Sequence, residues 1–119
     1  MRGPRSRSRH GGRWRVFARV ERFTEPALLL LLRERPGHGY DLLERLPELT
    51  GEQRVEMGNL YRLLRALEEE GVVSSEWGDG KRIYTLTSHG SQLLDQWVVA
   101  LRRSQERTAT FLARYEERR

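Results

Sequence analysis

The stretch that decides the fold is MGNLYRLLRALEEEG, residues 57–71. Four of its leucines recur at the i, i+3, i+4, i+7 spacing of a single helix face. They are Leu60, Leu63, Leu64 and Leu67. Gly71 is a typical C-terminal stop for such a helix. The charges run in an unusual order, because the arginines come first and the glutamates last, whereas the helix dipole favours acids first and bases last.

The face opposite the leucines carries Gly58, Arg62, Arg65 and Glu69, with Asn59 and Tyr61 on its two flanks. In helix-turn-helix proteins the start of the recognition helix meets base edges and phosphates. A helix N-terminus also favours anions through its free N–H groups, and arginines near it would add donors for phosphate or guanine. Glutamates 68–70 would then point away from a duplex. Alternatively, all these charges form a solvated face, and the charge order alone favours that interpretation.

Two helices are expected before this stretch. Thr24 is a good N-cap, and Pro26 suits a first helical turn because its missing N–H is not needed there. Residues 27–32 are apolar on all sides, which predicts the most buried helix of the fold. A second, short helix is predicted over about 40–46, ended by Pro47.

A β-hairpin is expected after Gly71. Residues 72–77 and 81–87 read as strands joined by Gly78-Asp79-Gly80, a turn rich in residues that tolerate positive φ. Lys81 and Arg82 lie just past its tip. Thr87 then looks like the N-cap of a long C-terminal helix.

Apolar residues follow that last helix in steps of three and four over most of its length. A stripe this long predicts a partner helix, most simply from a second copy of the chain. The predicted interface residues are Leu94, Trp97, Val98, Leu101, Phe111, Leu112 and Tyr115. The polar centre of the stripe, around residues 104–108, indicates either a helix break or a register-setting polar layer.

Three helices, a hairpin and a further helix predict a mainly α fold with a small β-hairpin, the winged helix-turn-helix, followed by a dimerisation helix. The expected parts are a largely disordered basic arm over 1–22, a DNA-binding domain over 23–87 and the dimerisation helix over 88–119. In this arrangement helix 57–70 enters a major groove, and hairpin 72–87 is the wing.

The charge balance points to a polyanionic partner. The chain has 119 residues, a net charge of +5 and no cysteine. Residues 1–22 hold eight Arg and one Glu, a charge of +7, so the remainder carries −2 of that total. The arm is therefore either a segment that lies along DNA phosphates or a solubilising tail or mis-assigned start.

No apolar run is long enough for a membrane span, and a cytoplasmic protein is the default expectation.

Three segments resemble the PadR family of bacterial transcriptional regulators: HGYDLLERL (38–46), GNLYRLLRALEEEGVVSSEW (58–77) and YTLTSHG (84–90). The resemblance implies a homodimeric winged-helix repressor of the shorter type, with a single C-terminal helix as the dimer interface. It also implies a DNA contact for Tyr61. Glu56 and Asn59 depart from the Ser or Thr of many relatives, which predicts weaker capping of the third helix and a different base preference.

Some relatives bind flat aromatic compounds, which implies a small aromatic effector near Trp97; the alternative is a plain core anchor. The three histidines do not pair at metal-ligand spacing, and no catalytic motif is present. We therefore expect no enzyme activity, cofactor or metal.

The leading hypothesis is a dimeric repressor of a palindromic operator. Its rival is a winged-helix protein-interaction module that binds nucleic acid non-specifically through its arginine-rich arm.

Overall fold

The computed structural model describes residues 23–51 and 55–117, and the predicted basic arm lies outside them. The chain is mainly helical with one antiparallel hairpin, which confirms the predicted fold class. In chain order the elements are α1 (Thr24–Glu34), α2 (Gly39–Thr50), α3 (Met57–Glu69), β1 (Val73–Gly78), β2 (Lys81–Leu86) and α4 (Ser88–Glu117).

The core lies where α1 meets the apolar sides of the other elements. Leu28 and Leu29 of α1 are fully buried, as the uniformly apolar sequence predicts. The leucine stripe of α3 faces the same core: three of the four leucines are buried and Leu63 is half-buried. The helix ends at Glu69, and Gly71 follows with a φ of 79°. The two predictions for residues 57–71 are thus confirmed: the leucines face inward, and the helix stops before Gly71.

The start of α1 differs from the prediction by one residue. Thr24 is the first helical residue, and the cap position falls to Phe23, which has a left-handed backbone (φ 67°) and makes no side-chain cap hydrogen bond. Phe23 packs against the core. Packing of this ring therefore sets the helix start, where the sequence suggested a hydroxyl cap.

The predicted end of α2 at Pro47 is wrong. The helix runs on to Thr50, and Pro47 lies inside it. A proline in a helix removes one N–H donor and crowds the preceding turn. Here Leu49 packs against the core beyond the proline, and the Thr50 hydroxyl donates to the Leu46 carbonyl at 3.1 Å. These contacts favour one more turn over an early stop. The connection to α3 therefore begins only at Gly51, and its residues 52–54 lie outside the described ranges.

The hairpin forms as predicted, with a two-residue turn at Asp79 and Gly80. Both have positive φ, 52° and 75°, which matches the twist of the flanking strands. The start of the helix-turn-helix is tied to it by an isolated bridge. The Gly37 N–H donates to the Tyr84 carbonyl at 3.1 Å, and the Tyr84 N–H donates back to the Gly37 carbonyl at 2.8 Å. The wing is therefore fixed against the segment that leads into α2.

Helix α4 begins as the sequence predicts, because the Thr87 hydroxyl accepts the Gly90 N–H at 3.0 Å. Its 30 residues run without a break, a length of about 45 Å. The helix break considered at 104–108 is thus excluded, and a polar layer there stays a prediction. None of the helices in the described ranges is long and apolar enough to cross a membrane.

The first half of α4 is attached to α1 at two points. The Trp97 indole N–H donates to the Glu25 carboxylate at 2.9 Å, and both side chains are buried. At the other end of α1, the Arg33 guanidinium lies 3.0 Å from the Asp95 carboxylate and also donates to the Ser91 carbonyl. These two contacts set the angle at which α4 leaves the domain.

Candidate nucleic-acid interface

The exposed face of α3 presents the residues that the sequence assigned to DNA. Gly58, Asn59, Arg62 and Arg65 are all exposed, while the leucines on the other side lie in the core. The Arg62 guanidinium donates to the Asn59 side-chain carbonyl, one turn earlier. The two side chains therefore form one polar unit at the start of the helix, where a major-groove contact would occur.

Helix α3 starts without a side-chain cap. Glu56 is the cap residue and makes no cap hydrogen bond, as its departure from Ser or Thr suggests. In contrast, α2 is capped by His38, whose Nδ1 accepts the Asp41 N–H at 3.4 Å. The first N–H groups of α3 are thus left without a partner from Glu56. Such groups are the ones that bind anions at helix N-termini.

Tyr61 connects α3 to the start of α2. A Cβ placed on Gly39 would lie 2.6 Å from the Tyr61 hydroxyl and 2.8 Å from its ring carbon Cζ. A larger residue at position 39 would require the Tyr61 ring to shift. The ring is therefore packed on the domain, while 39% of the residue remains exposed.

The wing supplies two exposed bases, Lys81 and Arg82. Arg82 pairs across the hairpin with Trp77, and its guanidinium lies 5.0 Å from the centre of that ring. A distance below about 6 Å is typical of a cation–π contact. Trp77 itself is 68% exposed, so the pair stands at the surface of the wing.

A cleft of about 490 Å³ separates the wing from α3 and the start of α2. It brings together several residues predicted to bind DNA and others for which no DNA contact was predicted. Those predicted are Tyr61, Arg65, Lys81 and Arg82; those missed are His38, Tyr40, Trp77, Gly80 and Tyr84. The cationic groups of this cleft are of the kind that neutralise the backbone phosphates of nucleic acid.

A sequence signal existed for one of the missed residues. A two-residue turn at 79–80 fixes the hairpin register and places Trp77 opposite Arg82, so their pairing follows from the turn type. Tyr40 gave no such signal, although it is 66% exposed. Tyr84 lies at the base of the cleft. Burial raises the pKa of its phenol, and the nearby Arg82 guanidinium lowers it to a smaller extent.

The residues predicted at a dimer interface differ in burial and fall into three groups. Leu94 and Trp97 are each 5% exposed and lie in the core of their own chain. Trp97 therefore offers almost no ring surface to a partner, and an aromatic effector could stack on it only if this side chain left the core. Leu101 is half-buried, and the other members are exposed. These are Val98, Phe111, Leu112 and Tyr115.

No group of three His, Asp or Glu side chains in the described ranges could hold a metal ion. Within these ranges the arrangement offers cations, aromatic faces and, at α3, a helix start that its cap residue Glu56 does not bond. It is suited to binding an extended anion.

Residues 28–96 match the transcriptional regulator PadR-like family. Among solved structures, TM0937, a potential transcriptional factor, is 35% identical, with a TM-score of 0.70 over 80% of this chain and 89% of that one. The transcriptional regulator TA0346 from Thermoplasma acidophilum is 30% identical, with a TM-score of 0.64 over 76% and 91% of the two chains. Bacillus subtilis PadR, solved in complex with operator DNA, is 31% identical, with a TM-score of 0.57 over 66% of this chain and 46% of that one. A comparison with curated proteins gives no match.

Proposed function

The chain belongs to the PadR-like family of transcriptional regulators, and we propose that it is a sequence-specific DNA-binding regulator that works as a homodimeric repressor. Helix α3 enters the major groove, where Asn59, Arg62 and Arg65 meet base edges and phosphates. The wing lies beside it, with Lys81 and Arg82 on the backbone.

One observation carries this proposal: a single helix buries its leucines and exposes its arginines next to a basic wing. Arg62, Arg65, Lys81 and Arg82 are all exposed, and two of these come from α3 and two from β2. Arginine in this position can bind guanine through two hydrogen bonds, and lysine or arginine on the wing can neutralise phosphates. Bacillus subtilis PadR was solved with its operator, which supports a DNA partner for this chain.

The exposed second half of α4 supports the homodimer. Phe111, Leu112 and Tyr115 are large apolar side chains that stand at the surface of a single chain. A second copy would cover them and would place two recognition helices on one duplex. Dimers of this type bind two half-sites about one helical turn, roughly 10 bp, apart. The operator is therefore expected to be a palindrome.

The test begins with the capture and sequencing of genomic fragments, followed by affinity measurements on the enriched sequence. Arg62→Ala should weaken specific binding by more than about 1 kcal/mol, because a base or phosphate donor is lost. Arg103→Ala is the matched control, since it removes the same charge from the exposed surface of α4. Equal affinity of both variants would reject the assigned face of α3.

The rival hypothesis, a protein-interaction module with a non-specific basic arm, makes a different prediction. Deleting residues 1–22 should leave sequence preference intact under our proposal and should make the salt dependence shallower, because the number of phosphate contacts sets that slope. Under the rival hypothesis binding disappears with the arm.

A further inference from the structure

The acidic end of α3 is in contact with the wing. The Ser75 hydroxyl donates to the Glu68 carboxylate at 2.8 Å and accepts a hydrogen bond from the Arg82 guanidinium, also at 2.8 Å. The three side chains come from α3, β1 and β2. One hydroxyl can donate once and accept at the same time. Ser75 can therefore make both hydrogen bonds at once and link Glu68 to Arg82.

Trp77 holds the same guanidinium from another side. Its ring is the cross-strand neighbour of Arg82, with the guanidinium carbon 5.0 Å from the ring centre. A planar guanidinium over an aromatic face is a favoured arrangement. Arginine has five N–H donors, so the bond to Ser75 leaves donors for a further anion. The guanidinium is thus oriented before any ligand arrives.

The held guanidinium lines the cleft between the wing and α3. Arg65 and Lys81 line it too, together with the aromatic rings of Tyr40 and Tyr61. Oriented donors lose less conformational entropy on binding than free side chains do. A guanidinium fixed at this position would therefore bind a phosphate more tightly than one that is free to rotate.

We propose that Glu68 is a positioning residue for DNA binding, which acts through Ser75 to present the Arg82 guanidinium to a backbone phosphate in this cleft, with Trp77 as the platform beneath it. The inference rests on the proposed function and names the wing contact within it. It also accounts for an acid at the end of α3, because Glu68 organises a base on the wing.

This proposal predicts that removing the Glu68 carboxylate weakens DNA binding, whereas simple charge repulsion predicts that it strengthens binding. Removing a carboxylate near DNA should tighten binding if only its charge matters. Under our proposal Glu68→Ala weakens binding to the operator about three- to tenfold. Glu69→Ala is the matched control, because it removes the same charge from the next residue of the same helix, and it should leave affinity unchanged or slightly higher.

Ser75 allows a second matched pair. Ser75→Thr keeps the hydroxyl and should retain affinity, whereas Ser75→Val has nearly the same shape without the hydroxyl and should behave like Glu68→Ala. Both replacements are β-branched and suit a strand. Thermal unfolding of each variant shows whether the hairpin remains intact.

A double-mutant cycle separates positioning from a general structural role. Arg82→Ala should weaken binding and reduce the salt slope by about 1, as expected for one lost phosphate contact. Adding Glu68→Ala to Arg82→Ala should then cause no further loss. An additive loss in the double variant, or tighter binding of Glu68→Ala, would overturn the proposal. If Arg82→Ala binds like the wild type, the wing contact is wrong while the proposed function stands. If the wild type enriches no sequence at all, the proposed function fails and this inference fails with it.

Discussion

The two halves of α4 have the same apolar spacing but different surroundings. In the first half, Leu94 and Trp97 are buried against the chain's own domain, and polar contacts from Glu25 and Arg33 fix the helix to α1. In the second half, Phe111 and its apolar neighbours stand exposed, 68% in the case of Phe111. One helix thus serves as part of the domain core and then extends beyond it.

The difference shows what a long apolar stripe does and does not specify. Spacing in steps of three and four defines a helix face, but it does not say what covers that face. In α4 the covering element changes along the helix, from α1 in the same chain to, in our proposal, a second copy. The polar contacts at Glu25 and Arg33 occur only in the first half, where the partner is fixed within the chain.

Among the variants that test this difference between the two halves of α4, Trp97→Ala is expected to have the largest effect. Truncating a buried tryptophan leaves a cavity and should cost about 3–5 kcal/mol in the free energy of unfolding. Because the contacts are within one chain, the loss should be the same at every protein concentration. Denaturant unfolding at two concentrations provides the measurement. Val99→Ala, on the exposed side of the same half, is the control and should stay within about 0.5 kcal/mol of the wild type.

The second effect concerns the exposed half. Phe111→Asp should weaken self-association by at least tenfold, about 1.4 kcal/mol, because a charge would be buried against the second copy. Analytical ultracentrifugation over a dilution series measures it. Ala113→Asp introduces the same charge two residues away, about 200° around the helix from Phe111 and about 100° from Leu112, and should leave association unchanged. Equal dissociation by both variants would show that the two copies do not meet on this stripe.

The smallest effect is expected at the exposed end of the attachment between α1 and α4. Arg33 and Asp95 form a surface ion pair with side chains 41% and 71% exposed, and such pairs contribute roughly 0.2–1 kcal/mol. Arg33→Ala should reduce the free energy of unfolding by an amount in this range, and the loss should shrink in high salt. A loss as large as that of Trp97→Ala would mean that the polar contacts, and not the buried rings, hold the first half in place.

The elements that sequence alone predicted are those with local signals. The leucine spacing of residues 57–71, the Asp79-Gly80 turn and the Thr87 cap each depend on a few neighbouring residues. All three occur in the structure. The outward position of Arg62 and Arg65 followed directly from the inward position of the leucines.

The misplaced elements depend on contacts distant in sequence. Pro47 fails to end α2 because Leu49 finds a place in the core, and Phe23 displaces Thr24 as the cap for a similar reason. The burial of Trp97 depends on Glu25, 72 residues away in the chain. Glu68 is exposed, as a solvated face predicts, but its contact with Ser75 had no local signal because it requires the hairpin to fold back along α3.

The bridge between Gly37 and Tyr84 has a consequence for how the wing can vary in length. It anchors β2 at Tyr84, and strand side chains alternate between two faces beyond that point. A single residue inserted between Arg82 and Tyr84 would turn the guanidinium to the reverse side of the ribbon. Two inserted residues would restore its side but displace it by ~7 Å. The strand between Tyr84 and the tip can therefore change length only by an even number of residues if the wing is to keep the same face toward its ligand.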